Sequence, residues 1–421
     1  MNHQFELPGS YKKWTYGLLA AGIVAVLYGM IAFHPFEHVV HGGGEGTHTE
    51  GTRFWAVLLQ NSVFWLLVVN AAMFFICVTT MAMGGWQIAL RRVPEAISSV
   101  VPVLGIITFV ILMAIVWGDR IDIYHWLDKE SVAKDHILNG KKGFLNPIFF
   151  TIVSAVSIFL WYFLGKKMRS MSLESDKNGP MNYEEGKKWI WKNTVWASLF
   201  TVVFGLTVAS TIPWLWIMSI DAHWYSTMFS WYNFASTFVS GLSLIALFVI
   251  YLKNRGKLEY VTEEHLHDLG KFMFAFSIFW TYLWFSQYML IWYSNQPEET
   301  KYFIERIGTA EKAGPYKGIF FFNLVVNFLC PLLILMKKGT KRNWTVVTFT
   351  AVLIIFGHWI DYYLMVMPGT LHEHAELMPF EFGVACLFIG VIMWSVGRYL
   401  SSHSLLASNH PFLKESMIHH T

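Results

Sequence analysis

The chain is short of charge. Lys, Arg, Asp and Glu make up 14% of its 421 residues, against roughly 25% in ordinary soluble domains. The net charge of +3 is too small to argue for nucleic acid as a partner. Cysteine is scarce as well: Cys77, Cys330 and Cys386 lie far apart, each inside an apolar stretch. No CxxC or CxxCH occurs, so covalent haem, thiolate zinc and cysteine-held iron–sulfur clusters have no support. The three thiols read as small buried hydrophobes. Also missing is any polar stretch long enough to fold as a catalytic domain of its own. Redox centres and soluble substrates are therefore expected to belong to other subunits.

What the chain does have is apolar length. Segments at 14–34, 54–80, 89–117, 147–166, 190–216, 227–252, 268–293, 318–336, 344–367 and 379–400 each approach the roughly 20 residues that a spanning helix needs. Trp, Tyr and Phe number 20, 18 and 35 and gather at segment ends, as interfacial belts do. The reading is an all-α integral membrane protein with ten transmembrane helices. No small-residue cleavage site follows the first segment, so it is expected to stay as an anchor. Lys and Arg divide 21 against 10 between alternate sides, which puts both termini of this multi-pass protein in the cytoplasm.

Helices two to five and six to nine read as two copies of one unit. Starts near 54, 89 and 147 recur near 227, 268 and 318, which predicts a parallel repeat of two four-helix bundles flanked by helices one and ten. The corresponding divisions are 1–53, 54–216, 217–367 and 368–421. The outer loop 35–53 carries His38, His41 and His48 with Gly42–Gly44; lacking a fixed ligand spacing, it reads as solvated. The outer loop 118–146 balances five acids with five bases and is expected to pack on a neighbouring protein. The inner loop 167–189 and the tail 401–421 read as short soluble connections. No paired Gly/Pro break is evident at mid-membrane, which disfavours a solute transporter.

Ionisable groups inside spanning segments are functional candidates by default. His358 and Asp361 are three apart on helix nine and so share a face. They lie roughly 21 and 26 Å from its inner end at about 1.5 Å per residue. An imidazole beside a carboxylate can pass a proton near neutral pH; a buried pair that only fixes packing is the competing account. Only His358 is deep, which argues against a bis-histidine haem b. Asp221, His223, Glu381 and the loop residues His372, Glu373, His374 and Glu376 could extend the path outward. On the inner side Arg91 with Glu95, and Asp268 with Lys271, are spaced as ion pairs and could form a vestibule. Hydroxyls and amides between these groups could hold water or glue helices together. The aromatic run Trp280, Tyr282, Trp284 and Phe285 could line a flat quinone pocket or face lipid.

Asp268-Leu-Gly-Lys271, Phe279-Trp-Thr-Tyr282, Phe285 to Tyr293, Asp221-Ala-His-Trp-Tyr-Ser226 and Gly357-His-Trp-Ile-Asp361 through Thr370 resemble the membrane subunits of bacterial alternative complex III. The likeness runs over all ten spans and is greatest to the smaller F-type subunit. That family is itself similar to the quinol-interacting membrane anchors of polysulfide and nitrite reductases. The resemblance implies a place in a quinol-oxidising respiratory complex. Partners would carry iron–sulfur clusters and c-type haems, a paralogous membrane subunit would hold the quinol site, and a terminal oxidase could follow. This chain would hold no covalent cofactor, and His358 and Asp361 would lie on a proton path. A quinol-oxidising site within the chain itself and a purely structural subunit are the alternatives.

Overall fold

A computed structural model describes residues 5–37, 50–374 and 376–420; most of the His/Gly-rich loop, 38–49, lies outside them. The described residues are helical throughout, with one isolated bridge between Gly308 and Ala313 and no strand. Nine described helices are long and apolar enough to cross a membrane: Gly9–Ala32 (α1), Glu50–Met81 (α2), Arg92–Trp117 (α3), Pro147–Asn178 (α4), Tyr183–Ile220 (α5), Met228–Asn254 (α6), Lys317–Leu335 (α8), Trp344–Leu371 (α9) and Pro379–Ser402 (α10). The seventh expected segment forms a 32-residue helix, Glu263–Ser294 (α7). Its Trp, Tyr, Gln and His residues keep it below the apolarity of the rest. The protein is a helical membrane protein.

α2 and α6 are the most buried helices, and polar residues on them meet neighbours rather than lipid. α2 packs on α3, α5, α6, α9 and α10, while α6 packs on α7, α9 and the far end of α5. α4 bridges α3 and α5, and α8 bridges α7 and α9. α1 and α10 pair with each other. Their glycines interlock: a Cβ on Gly22 would sit 2.5 Å from the Leu387 Cα, and one on Gly390 would sit 3.0 Å from the Leu19 nitrogen. Small residues at such positions let backbones approach without a hydrophobic driving force. The pair is antiparallel, so both termini emerge at one end, termed the inner end.

Several elements depart from the sequence reading. α5 and α8 each contain a π-turn, Thr207–Thr211 and Val325–Leu329, with Pro213 and Pro331 just beyond. Proline lacks the N–H that would close the regular ladder, and the wider turn absorbs the mismatch. Breaks therefore do occur within spans, though not in corresponding copies of the repeat. α4 runs on to Asn178, so much of the inner loop is helix. The outer loop 118–146 packs on its own chain. Arg120 bonds the Pro35 carbonyl at 3.1 Å and the Asp122 carboxylate at 2.6 Å, and the Tyr124 hydroxyl donates to the Trp216 carbonyl at 2.7 Å.

Candidate functional site

Asp361 is fully buried and draws donors from three other helices. The Tyr232 hydroxyl on α6 and the Asn323 amide on α8 (2.8 Å) both bond Oδ1, and the Trp280 indole N–H on α7 bonds Oδ2 at 3.0 Å. The polarity of two members of this set follows from their chemistry and their neighbours. An indole nitrogen only donates, and Asn323 turns its amide nitrogen to Asp361 because its oxygen accepts from Asn327 at 2.6 Å. The three groups bonded to the carboxylate thus each present a proton to it. Gly357 makes the arrangement possible, since a Cβ there would lie 2.2 Å from the Asn327 Oδ1.

Outward from Asp361 the polar groups continue. Tyr232 and Asn323 line a cavity of about 10 Å³ shared with Gln287, Tyr302 and Arg306. Tyr302 and Arg306 also line a second cavity of about 10 Å³, whose other walls include Glu305 and Asp221. Each lies near the roughly 10–15 Å³ that one water requires. Arg306 is 3% exposed. It donates to the Leu364 carbonyl at 3.0 Å and the Tyr302 carbonyl at 2.6 Å, and its guanidinium lies 3.4 Å from the Tyr302 ring centroid. Asp221 reaches the outer surface beside Lys301, 4.0 Å away.

The inward direction is different. His358 Nδ1 lies 3.0 Å from the Ser236 hydroxyl and 3.7 Å from the Asp361 Oδ2, while its Nε2 has no partner. Beyond it, the Ser240 and Ser243 hydroxyls donate to carbonyls of their own helix at 2.8 and 2.9 Å. Asn70 and Ser277 are buried, and their side-chain polar atoms lack protein partners. Polar groups are linked through shared cavities on the outer side only.

The two inner pairs form as spaced but belong to separate clusters. Glu95 accepts from Arg91 at 3.0 Å and from Arg92 at 2.6 Å, all three being about 1% exposed, and Arg92 continues to Ser172 and Asp176. Asp268 pairs with Lys271 at 2.6 Å and with His419 at 2.7 Å. Between them sits the carboxyl tail, read from sequence as a soluble connection. Its turn Leu413–Met417 docks on the 85–90 segment, where Ser416 donates to the Trp86 carbonyl at 2.5 Å and accepts from the Ala89 N–H at 2.9 Å. The vestibule is plugged by the chain's own end.

That plug has a pH signature. His410 stands edge-on to the Trp189 ring at 5.0 Å. Burial, then the neighbouring Arg91 and Arg92 guanidinium groups, push its imidazole well below the ordinary range. A depressed imidazole is neutral when docked but takes up a proton near its ordinary value of about 6.5 once released. The docked state therefore keeps its full stability above about pH 6.5 and loses it as pH falls below that. Amide exchange across 413–417 should speed up, relative to intrinsic rates, between about pH 7.5 and pH 5.5. His410→Asn should reduce the difference, His265 beside Ser416 keeping the remainder; an equal pH response in both proteins would refute it.

The remaining candidates lie elsewhere. Glu381 is buried at the outer end of α10, 3.2 Å from the Arg53 Nε, and bonds the Met378 N–H at 2.9 Å. It ties α10 to α2 and makes no contact with Asp361. His223 meets Asp135 at 2.6 Å, an outer-loop pair in which the imidazole lowers the carboxyl pKa of Asp135. Glu373 pairs in the open with Lys312 at 2.8 Å. The sequence reading placed Asn323 only among the amides between the clusters and gave no site role to Tyr232, Tyr302, Glu305 or Arg306, of which the Tyr302–Arg306 stretch sits on an outer helix, Pro297–Ile307, that looks like a loop. A scan of protein-family models returns no match to this chain, and a search of curated proteins returns none.

Proposed function

We propose that this chain is a cofactor-free membrane subunit that conducts protons in a quinol-oxidising respiratory complex of the bacterial inner membrane. The observation that carries the proton role is the run from Asp361 through Tyr232 and Asn323 to Arg306, Glu305 and Asp221. A proton held at Asp361 leaves when the Tyr232 hydroxyl turns, gives its own proton to the first cavity and takes the carboxyl proton in its place; the charge then crosses the two small cavities to Asp221 at the surface. Arg306 walls both cavities, so its charge sets the potential along the way. His358, beside Asp361, is the inward acceptor. The quinol-oxidising setting rests on the sequence resemblance, with iron–sulfur, haem and quinol-binding partners supplying the redox chemistry. The helix packing supports two four-helix units within ten spans: α2 meets α3 and α5 as α6 meets α7 and α9.

The test is proton release per electron in the reconstituted complex. Asp361→Asn and Asp221→Asn should each lower it by about tenfold or abolish it, while electron transfer begins normally. Full proton yield in both variants would remove the proposal. The three protein donors that satisfy Asp361 favour a second reading, a scaffold in which the same residues only fix packing. On that reading the variants lose thermal stability and keep the proton yield. Labelling of this chain by an azido-quinone would instead favour a quinol site within it.

A further inference from the structure

An apolar cleft of about 470 Å³ runs between the α1–α10 pair and the α6–α9 face. It falls within the roughly 300–1,000 Å³ of ordinary ligand sites. Its walls include Phe248, Trp359, Phe382, Cys386 and Ile389, with Tyr11 and Tyr251 toward the inner end. It opens sideways, because Val352, Phe356 and Phe382 on its rim are 53%, 38% and 43% exposed. An opening at this depth meets the hydrocarbon phase, so the visitor must be a membrane amphiphile.

Polar groups stand just beyond the inner end of the cleft. The Tyr251 hydroxyl is buried and has no partner in the protein. The Arg255 guanidinium lies over the same ring, 5.5 Å from its centroid, and reaches the Ser10 hydroxyl at 3.2 Å. Lys12, Lys13, Arg255 and Lys257 are all exposed there, against Glu6 and Glu259. A donor without an acceptor thus sits just below a net positive rim. We propose that the cleft binds an anionic phospholipid of the leaflet at the inner end. One acyl chain lies along α10, the phosphate meets Arg255, and an ester carbonyl accepts from the Tyr251 hydroxyl once that ring turns it out of its buried position.

Acyl chains gain little by leaving lipid for protein, since both are apolar. Selectivity must therefore come from the head, where a basic residue near an anionic surface and a hydrogen bond each contribute. The probe is phosphatidylglycerol with a mid-chain diazirine, photolysed with the whole protein in detergent. Crosslinks should concentrate on residues 352–359 and 382–393. Unlabelled phosphatidylglycerol should compete roughly fivefold better than phosphatidylcholine, and Arg255→Gln and Tyr251→Phe should each cut labelling roughly fivefold. Even labelling around the bundle would mean annular lipid only and overturn the site. So would equal competition by the two lipids, labelling unaffected by either substitution, or labelling lost in native membranes because a protein covers the cleft.

Discussion

Asp361→Ala should lower folding stability by about 3–5 kcal/mol, read as thermal or denaturant unfolding in detergent, because it strands donors from three helices at once. The Tyr232 hydroxyl, the Asn323 amide and the Trp280 N–H all end on this one carboxylate. An unsatisfied buried donor forfeits about 1–3 kcal/mol. Asp361→Asn should be milder, at about 1–3 kcal/mol. Its oxygen can still take two of the bonds, but its amide nitrogen must then face the Trp280 N–H, donor against donor. An alanine variant within about 1 kcal/mol of the parent would show that these donors find other partners, and the idea of a fixed-polarity site would fail.

The same geometry shows what a sequence can and cannot carry. The spans were legible because the bilayer imposes a length and an apolarity on each segment alone. The His358–Asp361 pair was legible because three-residue spacing on a helix is local. Its partners were not. Tyr232 stands 129 residues from Asp361 and Trp280 stands 81 away, and nothing in either segment marks which of many aromatic residues turns inward. Trp280 sat in a run of aromatics that a lipid-facing stripe explains equally well. The tail was misread for a related reason. Ser416 and His419 look solvated until the 85–90 segment and Asp268 are placed opposite them. The π-turns escaped because a proline near a span's end is common, and only the register of the neighbouring helices decides whether the ladder widens before it.

Gly357→Val should be nearly as damaging as losing the carboxylate, at about 3 kcal/mol, the upper end of the usual range for overpacking. The first added carbon would already lie 2.2 Å from the Asn327 Oδ1 and 2.6 Å from the Val326 Cγ1. Both belong to the π-turn of α8, whose irregular backbone has little slack. Asn327 must swing away, and with it goes the 2.6 Å bond that holds Asn323 in its donating orientation. The damage therefore reaches Asp361 through two amides without any contact with the carboxylate. Gly357→Ala displaces the Asn327 and Val326 side chains without the further methyls of valine and should cost about 1–2 kcal/mol. A double-mutant cycle between Gly357→Ala and Asp361→Asn tests the linkage. Two changes acting through one chain of hydrogen bonds should depart from additivity by about 0.5–3 kcal/mol. Simple addition would mean that the glycine serves helix approach alone and that the amides do not orient the carboxylate.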